Sequence, residues 1–308
     1  MITVAGLAPS LDLTYRVDTL RVGEIHRVGE VVRCAGGKPL NMARAASTMA
    51  ADCAVVAILG GPTGAALAQM LQTEGLAVTV IESPAETRVC VSISAEDSGQ
   101  LTEVYQDSPA VPEAVWRSFC GQLDAALGSR PGWLSISGRA PAGPVGMIAD
   151  LVRRGLRADV RVAVDTSGAA LAPALAAGPT LVKINRYEAA AELGVPPDDD
   201  LLTMAGALAE RSRATVVLTD GTAGAIAVEG ARALHASAPG APGRYPVGSG
   251  DSFLGGLLAA LDGGAELRQA LRTATACGVA NALTPGQGRF SVDTVQQVAA
   301  AVELRALG

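Results

Sequence analysis

Paired cysteines, histidine clusters and aromatic platforms are all scarce in this chain of 308 residues. The five cysteines, Cys34, Cys53, Cys90, Cys120 and Cys277, are odd in number, scattered and without CxxC spacing. That argues against a disulfide framework and against structural zinc. The two histidines, His26 and His235, stand far apart and read as surface or packing residues rather than metal ligands. Aromatic residues make up 3% of the chain, and the net charge of −6 comes without a dense block of Lys or Arg. Nucleic acid is therefore not an expected partner. An anionic substrate must be held by a local cluster of donors, because the overall field opposes it. No apolar run approaches the about 18 residues of a membrane span. Met1 opens onto a strand-like ITVAG, not onto the charged and apolar regions of a signal peptide. The expectation is a soluble cytoplasmic protein without a membrane partner.

What is present is apolar and glycine-rich. Hydrophobic residues are 49%, charged residues 18%, and there are 36 glycines, a composition for close helix–sheet packing and tight turns. The stretch Val247–Leu258, VGSGDSFLGGLL, stands out. Its glycines tolerate positive φ, so the loop can turn backbone N–H groups inward. A helix starting there adds the positive end of its dipole, which suits a phosphoryl group. Asp251 at the helix mouth is placed to take a proton from an attacking hydroxyl. The alternative, a turn with Asp as helix cap, fits this stretch equally well.

In chain order, Ile2–Gly6 reads as a buried strand, and the break after it leaves the Asp12 carboxylate at a strand end. Leu11–Val17 with Glu24–Arg33, and Thr87–Ala95 with Leu101–Tyr105, alternate apolar and polar residues, the signature of half-exposed strands. They are too polar for the centre of a parallel sheet and predict a four-stranded lid. Arg88 heads one of them, to be read as an anion contact or as a solvated side chain. Ala35–Asn41 carries Gly36, Gly37, Lys38 and Asn41 into an Ala-rich helix, with the wrong order for a Walker A loop. Gly60–Gly64 reads as a connection. From Trp133 the chain alternates strand and helix, with Ala225–Glu229 as an antiparallel edge. The fold class predicted is α/β, a mostly parallel central sheet with helices on both faces plus the lid. Ligands in such folds bind beyond the carboxyl ends of the strands. Asp12, the Gly36–Asn41 loop, Ser137, Asp165, Asn185 and Thr219 all fall there.

These residues carry a resemblance. Gly248-Ser249-Gly250-Asp251 is similar to the GAGD signature of the ribokinase-like (PfkB) carbohydrate kinases. Ala35–Asn41 is similar to their GGKGxN signature, and Asn185-Arg186-Tyr187-Glu188 to their NxxE element. The resemblance runs from end to end and implies one kinase domain over 1–308, with lid strands from about 11–34 and 87–106. It implies Asp251 as the base, the N–H groups of Gly248, Ser249 and Gly250 as an anion hole, and ATP with Mg²⁺ arranged by Asn185 and by Glu188 through water. It implies Thr219, Gly221, Gly224 and Asn281 around the nucleotide. Asp12, Gly36, Gly37, Lys38, Asn41, Arg88, Ser137 and Arg139 would face the sugar. A homodimer through the lid and an assisting monovalent cation are left open.

Within the family, LDLTYRVDTLRVGEIHRVGEV, TRVCVSI, LTEVY and VDTSGAAL look most like the 1-phosphofructokinase and tagatose-6-phosphate kinase branch, whose acceptors already carry a phosphate. The chain departs from that branch at Ala8 (usually Asn), Pro39 (usually Gly) and Ser92 (usually Lys), and Arg139 stands where a small Ser is usual. Charge balance implies that Arg139 replaces the missing lysine. The expected reaction is phosphorylation of fructose 1-phosphate at its 6-hydroxyl. The alternatives are tagatose 6-phosphate, an unphosphorylated sugar or nucleoside, or a non-catalytic sugar-binding protein on the same fold.

Overall fold

Strand alternation divides the core. Ile2, Val4, Val55 and Ala57 belong to one hydrophobic cluster, and Ala5, Val56 and Ile58 to another, because successive strand side chains point to opposite faces. With both faces covered, such strands read as near-continuous apolar runs.

The computed structural model describes residues 1–29, 31–128, 132–240 and 243–307. The chain opens with β1 (Ile2–Gly6), forms an antiparallel pair of β2 (Ser10–Val17) and β3 (Val31–Gly36), and runs directly into α1 (Lys38–Thr48). β4 (Cys53–Leu59), α2 (Gly61–Thr73) and β5 (Ala77–Glu82) precede a second antiparallel pair, β6 (Arg88–Ala95) and β7 (Leu101–Tyr105). Then come α3 (Glu113–Leu127), β8 (Trp133–Ser137), α4 (Met147–Arg157), β9 (Arg161–Asp165), α5 (Leu171–Ala176), β10 (Leu181–Asn185), α6 (Arg186–Leu193), α7 (Leu201–Ser212) and β11 (Thr215–Thr219). The chain closes through β12 (Ala225–Glu229), β13 (Arg232–Ser237), α8 (Ser249–Asp262), α9 (Leu267–Leu283), α10 (Val292–Ala301) and β14 (Glu303–Leu307).

Among the described residues these strands make two sheets. The ten-stranded sheet has the order β14-β13-β12-β11-β10-β9-β8-β1-β4-β5, parallel from β11 to β5 and antiparallel from β11 to β14. The four-stranded sheet has the order β3-β2-β6-β7. Two expectations need correcting. β12 is not an edge, because β13 and β14 extend the sheet beyond it. The strand expected at Glu24–Arg33 begins only at Val31; residues 24–29 lie outside any strand, and Glu30 lies outside the described residues. Gly23, with φ of 87°, turns the chain there, and pairing with β2 starts at Tyr15 opposite Val31.

Close helix approach sets the position of α8. A Cβ on Gly255 would meet Met42 O of α1 at 2.6 Å, and one on Gly256 would meet Cys277 Sγ of α9 at 2.5 Å. Only glycine lets three helices meet here. Phe253, Leu254, Leu257 and Leu258 fill the space beneath. The first turn of α8 is thereby fixed beside the amino end of α1, at the carboxyl ends of the parallel strands.

Candidate active site

The loop before α8 is built for its place. Gly248 takes φ of +82° as the residue preceding the helix, a conformation that favours glycine. The first N–H groups of a helix have no intrahelical partner. The Ser249 N–H is already engaged, donating to Pro246 O at 3.1 Å, and the first helical bond runs from Ser252 N to Gly248 O at 2.8 Å. The N–H groups of Gly248, Gly250 and Asp251 have no hydrogen-bond partner among the described residues. Of the expected donor set Gly248, Ser249 and Gly250, the Ser249 N–H is therefore already engaged, and the Asp251 N–H is free beside the other two.

Asn281 sits behind this loop rather than on the cleft. It is fully buried. Its Nδ2 donates to Val247 O (2.9 Å), Ser249 Oγ (3.2 Å) and Tyr245 O (3.3 Å), while Oδ1 accepts from Ser252 Oγ (3.1 Å) and Gly288 N (2.8 Å). A side chain with every donor and acceptor used by the loop has no polar group left for a nucleotide. Asn281, expected near the nucleotide, supports the loop, while its neighbours Gly278, Val279 and Ala282 line the cleft.

A chain of buried charge lies beside the first turn of α8. Asp165, with no exposed surface, closes β9; it accepts from Lys38 Nζ on Oδ1 and from Lys183 Nζ on Oδ2, both at 2.8 Å. Burial alone would raise Asp165, but the two ammonium groups overcome it and hold the carboxyl down at about 2. Asp165 is the first cause that raises Lys38, against burial and with help from Glu188 and Asp251. Lys183 is 3% exposed, and its Nζ lies 2.9 Å from where a Cβ on Gly250 would stand. A side chain at position 250 would displace the ammonium from the helix mouth.

Asp251 is the counterpart of Asp165. It is buried, and its Oδ2 accepts from Asn41 Nδ2 at 2.9 Å. Burial pushes it up to about 6, against Lys38, the Asn41 hydrogen bond and Lys183, and with Asp165 adding to the rise. A carboxylate at that value takes a proton near neutral pH.

The NxxE element is a capping box at the start of α6. Asn185 Oδ1 accepts from Glu188 N, and Glu188 Oε2 accepts from Asn185 N, both at 2.9 Å. Glu188 Oε1 stays 3.6 Å from Lys38 Nζ. No group of three or more His, Cys, Asp or Glu among the described residues forms a metal cage. This donor set fits a magnesium ion held by one carboxylate, water and substrate phosphates, the usual arrangement for that ion.

Lys38, Asn41, Lys183, Asn185 and the first turn of α8 with Asp251 meet in one cleft of about 1080 Å³ between the strand ends and the four-stranded sheet, room for two ligands side by side; Asp165 and Glu188 lie behind its lining. Of the expected residues, Asp12, Gly37, Lys38, Asn41, Arg88, Ser137, Arg139, Asn185, Thr219, Gly221, Gly224, Gly248, Ser249, Gly250 and Asp251 line it. Gly36, Glu188 and Asn281 do not. Gly36 acts by what it omits: its Cβ would stand 2.0 Å from Asp12 Oδ2. Asp12 accepts from Ser10 Oγ at 2.6 Å; burial raises it, against Ser10, Arg88 and the Gly37 N–H. Arg88 donates to Gln106 O (3.2 Å) and Ala8 O (3.3 Å), and its buried Nε has no partner. Arg139 is exposed on the cleft and has no hydrogen-bond or ion-pair partner among the described residues. Ser92 is buried and lies two residues from Cys90, which lines the cleft. Lys183 and Gln287 were not anticipated. Lys183 had a signal: a lysine inside the apolar strand Leu181–Asn185 is not buried without a partner.

Residues 1–294 match the family described as pfkB family carbohydrate kinase. A 1-phosphofructokinase of Xanthomonas campestris pv. campestris is 32% identical over 98% of this chain and 97% of that protein. A tagatose-6-phosphate kinase of Staphylococcus epidermidis is 26% identical over 99% of each. Phosphofructokinase-2 from Escherichia coli, solved in complex with potassium, is 29% identical and superposes with a TM-score of 0.89 over 97% of this chain and 98% of that one.

Proposed function

Because the chain belongs to the pfkB family of carbohydrate kinases, we propose that it transfers the γ-phosphoryl group of ATP to a sugar that already carries a phosphate. The acceptor we assign is fructose 1-phosphate, phosphorylated at its 6-hydroxyl. The observation that carries the phosphosugar reading is the cationic side of the cleft, where Arg88 keeps a buried Nε without a partner and Arg139 stands unpaired. A buried guanidinium nitrogen left unsatisfied is costly, and a phosphate dianion relieves that cost. The choice of fructose 1-phosphate rests on the 32% identity to a 1-phosphofructokinase.

Asp251 accepts the proton of the acceptor hydroxyl. The hydroxyl oxygen then bonds to the γ-phosphorus as the bond to the β–γ bridging oxygen breaks, and that electron pair leaves with ADP. Such a transition state asks for alignment and for charge stabilisation. The free N–H groups of Gly250 and Asp251, the dipole of α8 and the ammonium groups of Lys183 and Lys38 face that charge. Magnesium would be held through Glu188 and water, and would supply further neutralisation of the phosphates. Asp12 orients the sugar, and the four-stranded sheet limits water in the cleft.

The test is a screen of ATP consumption across fructose 1-phosphate, fructose 6-phosphate, tagatose 6-phosphate and the free sugars. The expected result is the highest kcat/KM with fructose 1-phosphate. Turnover of a free sugar while every phosphosugar fails would overturn the acceptor class. Preference for tagatose 6-phosphate would overturn only the assignment within it.

A further inference from the structure

Behind Asn41 lies a buried arginine that the reaction above does not use. Arg44, one helical turn after Asn41 on α1, is 7% exposed. Its Nε donates to Glu74 Oε2 at 2.9 Å, its Nη2 donates to Ala35 O at 2.6 Å and lies 2.8 Å from the same Glu74 oxygen, and its Nη1 donates to Gln287 O at 3.0 Å. The remaining reach of Nη1 is to Asn41 Oδ1 at 3.4 Å. Glu74 is itself held from outside by Arg289, whose Nη2 donates to Oε1 at 2.6 Å. One planar guanidinium therefore joins the end of β3, the end of α2, the loop carrying Gln287 and the catalytic face of α1.

The consequence falls on an amide. Asn41 has one side that donates and one that accepts. Nδ2 donates to Asp251 Oδ2 at 2.9 Å and to Gln287 Oε1 at 3.1 Å, while Oδ1 faces Arg44. Rotating the amide by half a turn would set Oδ1 against two acceptor oxygens and the NH₂ against a guanidinium that only donates. The donor-only fork of Arg44, held by its other partners with Nη1 toward Oδ1, thus selects one orientation of the amide and keeps a donor on Asp251. We propose that Arg44 is a positioning residue for phosphoryl transfer, acting by locking the Asn41 amide with its NH₂ on Asp251. This rests on the reading of Asp251 as the base. A free amide would spend part of its time presenting an acceptor to the carboxylate, which favours the protonated, inactive form. The other charged groups that face Asp251 are Lys38, Lys183 and Asp165, and none of them contacts Arg44.

The experiment follows the ionisation of Asp251 by carboxyl ¹³C NMR, with the resonance assigned by its loss in Asp251→Asn. It compares the native chain with Arg44→Met and with Arg44→Lys. The lysine variant keeps the charge opposite Glu74 but has a single nitrogen in place of the fork, and it carries the comparison if the methionine variant does not fold. The expected midpoint rises by about one unit, the size of a lost hydrogen bond to a charged group, and the acid limb of kcat moves with it. In an Asn41→Ala background, neither substitution moves the midpoint further. An unmoved midpoint, or the same shift with and without Asn41, overturns the proposal; a lowered melting temperature alone is what a structural role gives. Turnover by Asp251→Asn would instead remove the reading of Asp251 as base, which keeps the two failures distinct.

Discussion

The two walls of the cleft treat charge in opposite ways. On the strand-end wall, Asp165, Lys38, Lys183, Asn41 and Asp251 are buried or half-buried and already paired with one another. On the side of the four-stranded sheet and the loop after β8, Arg88 keeps an unpaired Nε and Arg139 has no partner. Pairing fixes geometry before substrate arrives, which suits a transfer step that depends on preorganised charge. Unpaired cations leave binding energy to be realised only with a charged acceptor. Rate should therefore be lost on one wall and acceptor affinity on the other.

The largest expected effect is at Asp251. Asp251→Asn should lower kcat by about 10³-fold or more with little change in acceptor binding by calorimetry. The same substitution should stabilise the fold at neutral and higher pH. The folded-state value of about 6 lies above the reference value of 3.8, so protonation favours the folded chain. That contribution is full below about 3.8 and is lost as pH rises through about 6. Asparagine carries no such penalty, so the gain, on the order of 3 kcal/mol at pH 8, should vanish below about pH 4. Thermal melts across pH check it; a variant less stable than the native chain at pH 8 would contradict the burial argument.

Lys183 breaks the comparison from the other member of the wall. Lys183→Met leaves Asp165 buried with Lys38 alone. The expected cost is about 3 kcal/mol of stability and about 10²-fold in kcat, read by denaturant unfolding and steady-state kinetics. The depressed Asp165 contributes stability that is present above its unfolded value of 3.8 and is lost as pH falls through about 2. With one ammonium gone its carboxyl rises, so acid unfolding should begin at higher pH than in the native chain.

The paired wall was partly legible in the sequence, because glycines, Asp251 and the strand ends converge there by local pattern. The parallel sheet followed from strand–helix alternation. What escaped depends on distant parts of the chain. The β13–β14 pairing joins Leu234 to Ala306, and neither short strand announces its neighbour. Asn281 is placed around the nucleotide by the resemblance alone, and its support of the loop shows only when Gly288 and Val247 are seen to use both its ends. Arg44 drew no reading from the Ala-rich helix around it, because its partner Glu74 comes from the end of α2, 30 residues on. The opposite errors came from local pattern as well: Glu24–Arg33 alternates like a strand, yet its first residues have no strand beside them.

The smallest effect tests the open wall. If Arg139 supplies the cation that the family resemblance leads one to expect at position 92, then Arg139→Ala should raise KM for the phosphosugar by about tenfold, the loss of one charge-assisted contact, and leave kcat within about twofold. Ser92 lies on the strand that carries Arg88 and Cys90 into the cleft, four and two residues away, so a lysine there enters the same space. Ser92→Lys in the Arg139→Ala chain should restore most of the lost affinity, although the two residues come from different elements. A gain in affinity from Ser92→Lys without loss on removing Arg139 would mean that Arg139 never faced the phosphate. Loss without restoration would place the phosphate on the Arg139 side of the cleft, away from the sheet. Either outcome leaves the paired wall untouched, because kcat does not depend on which cation grips the far end of the acceptor.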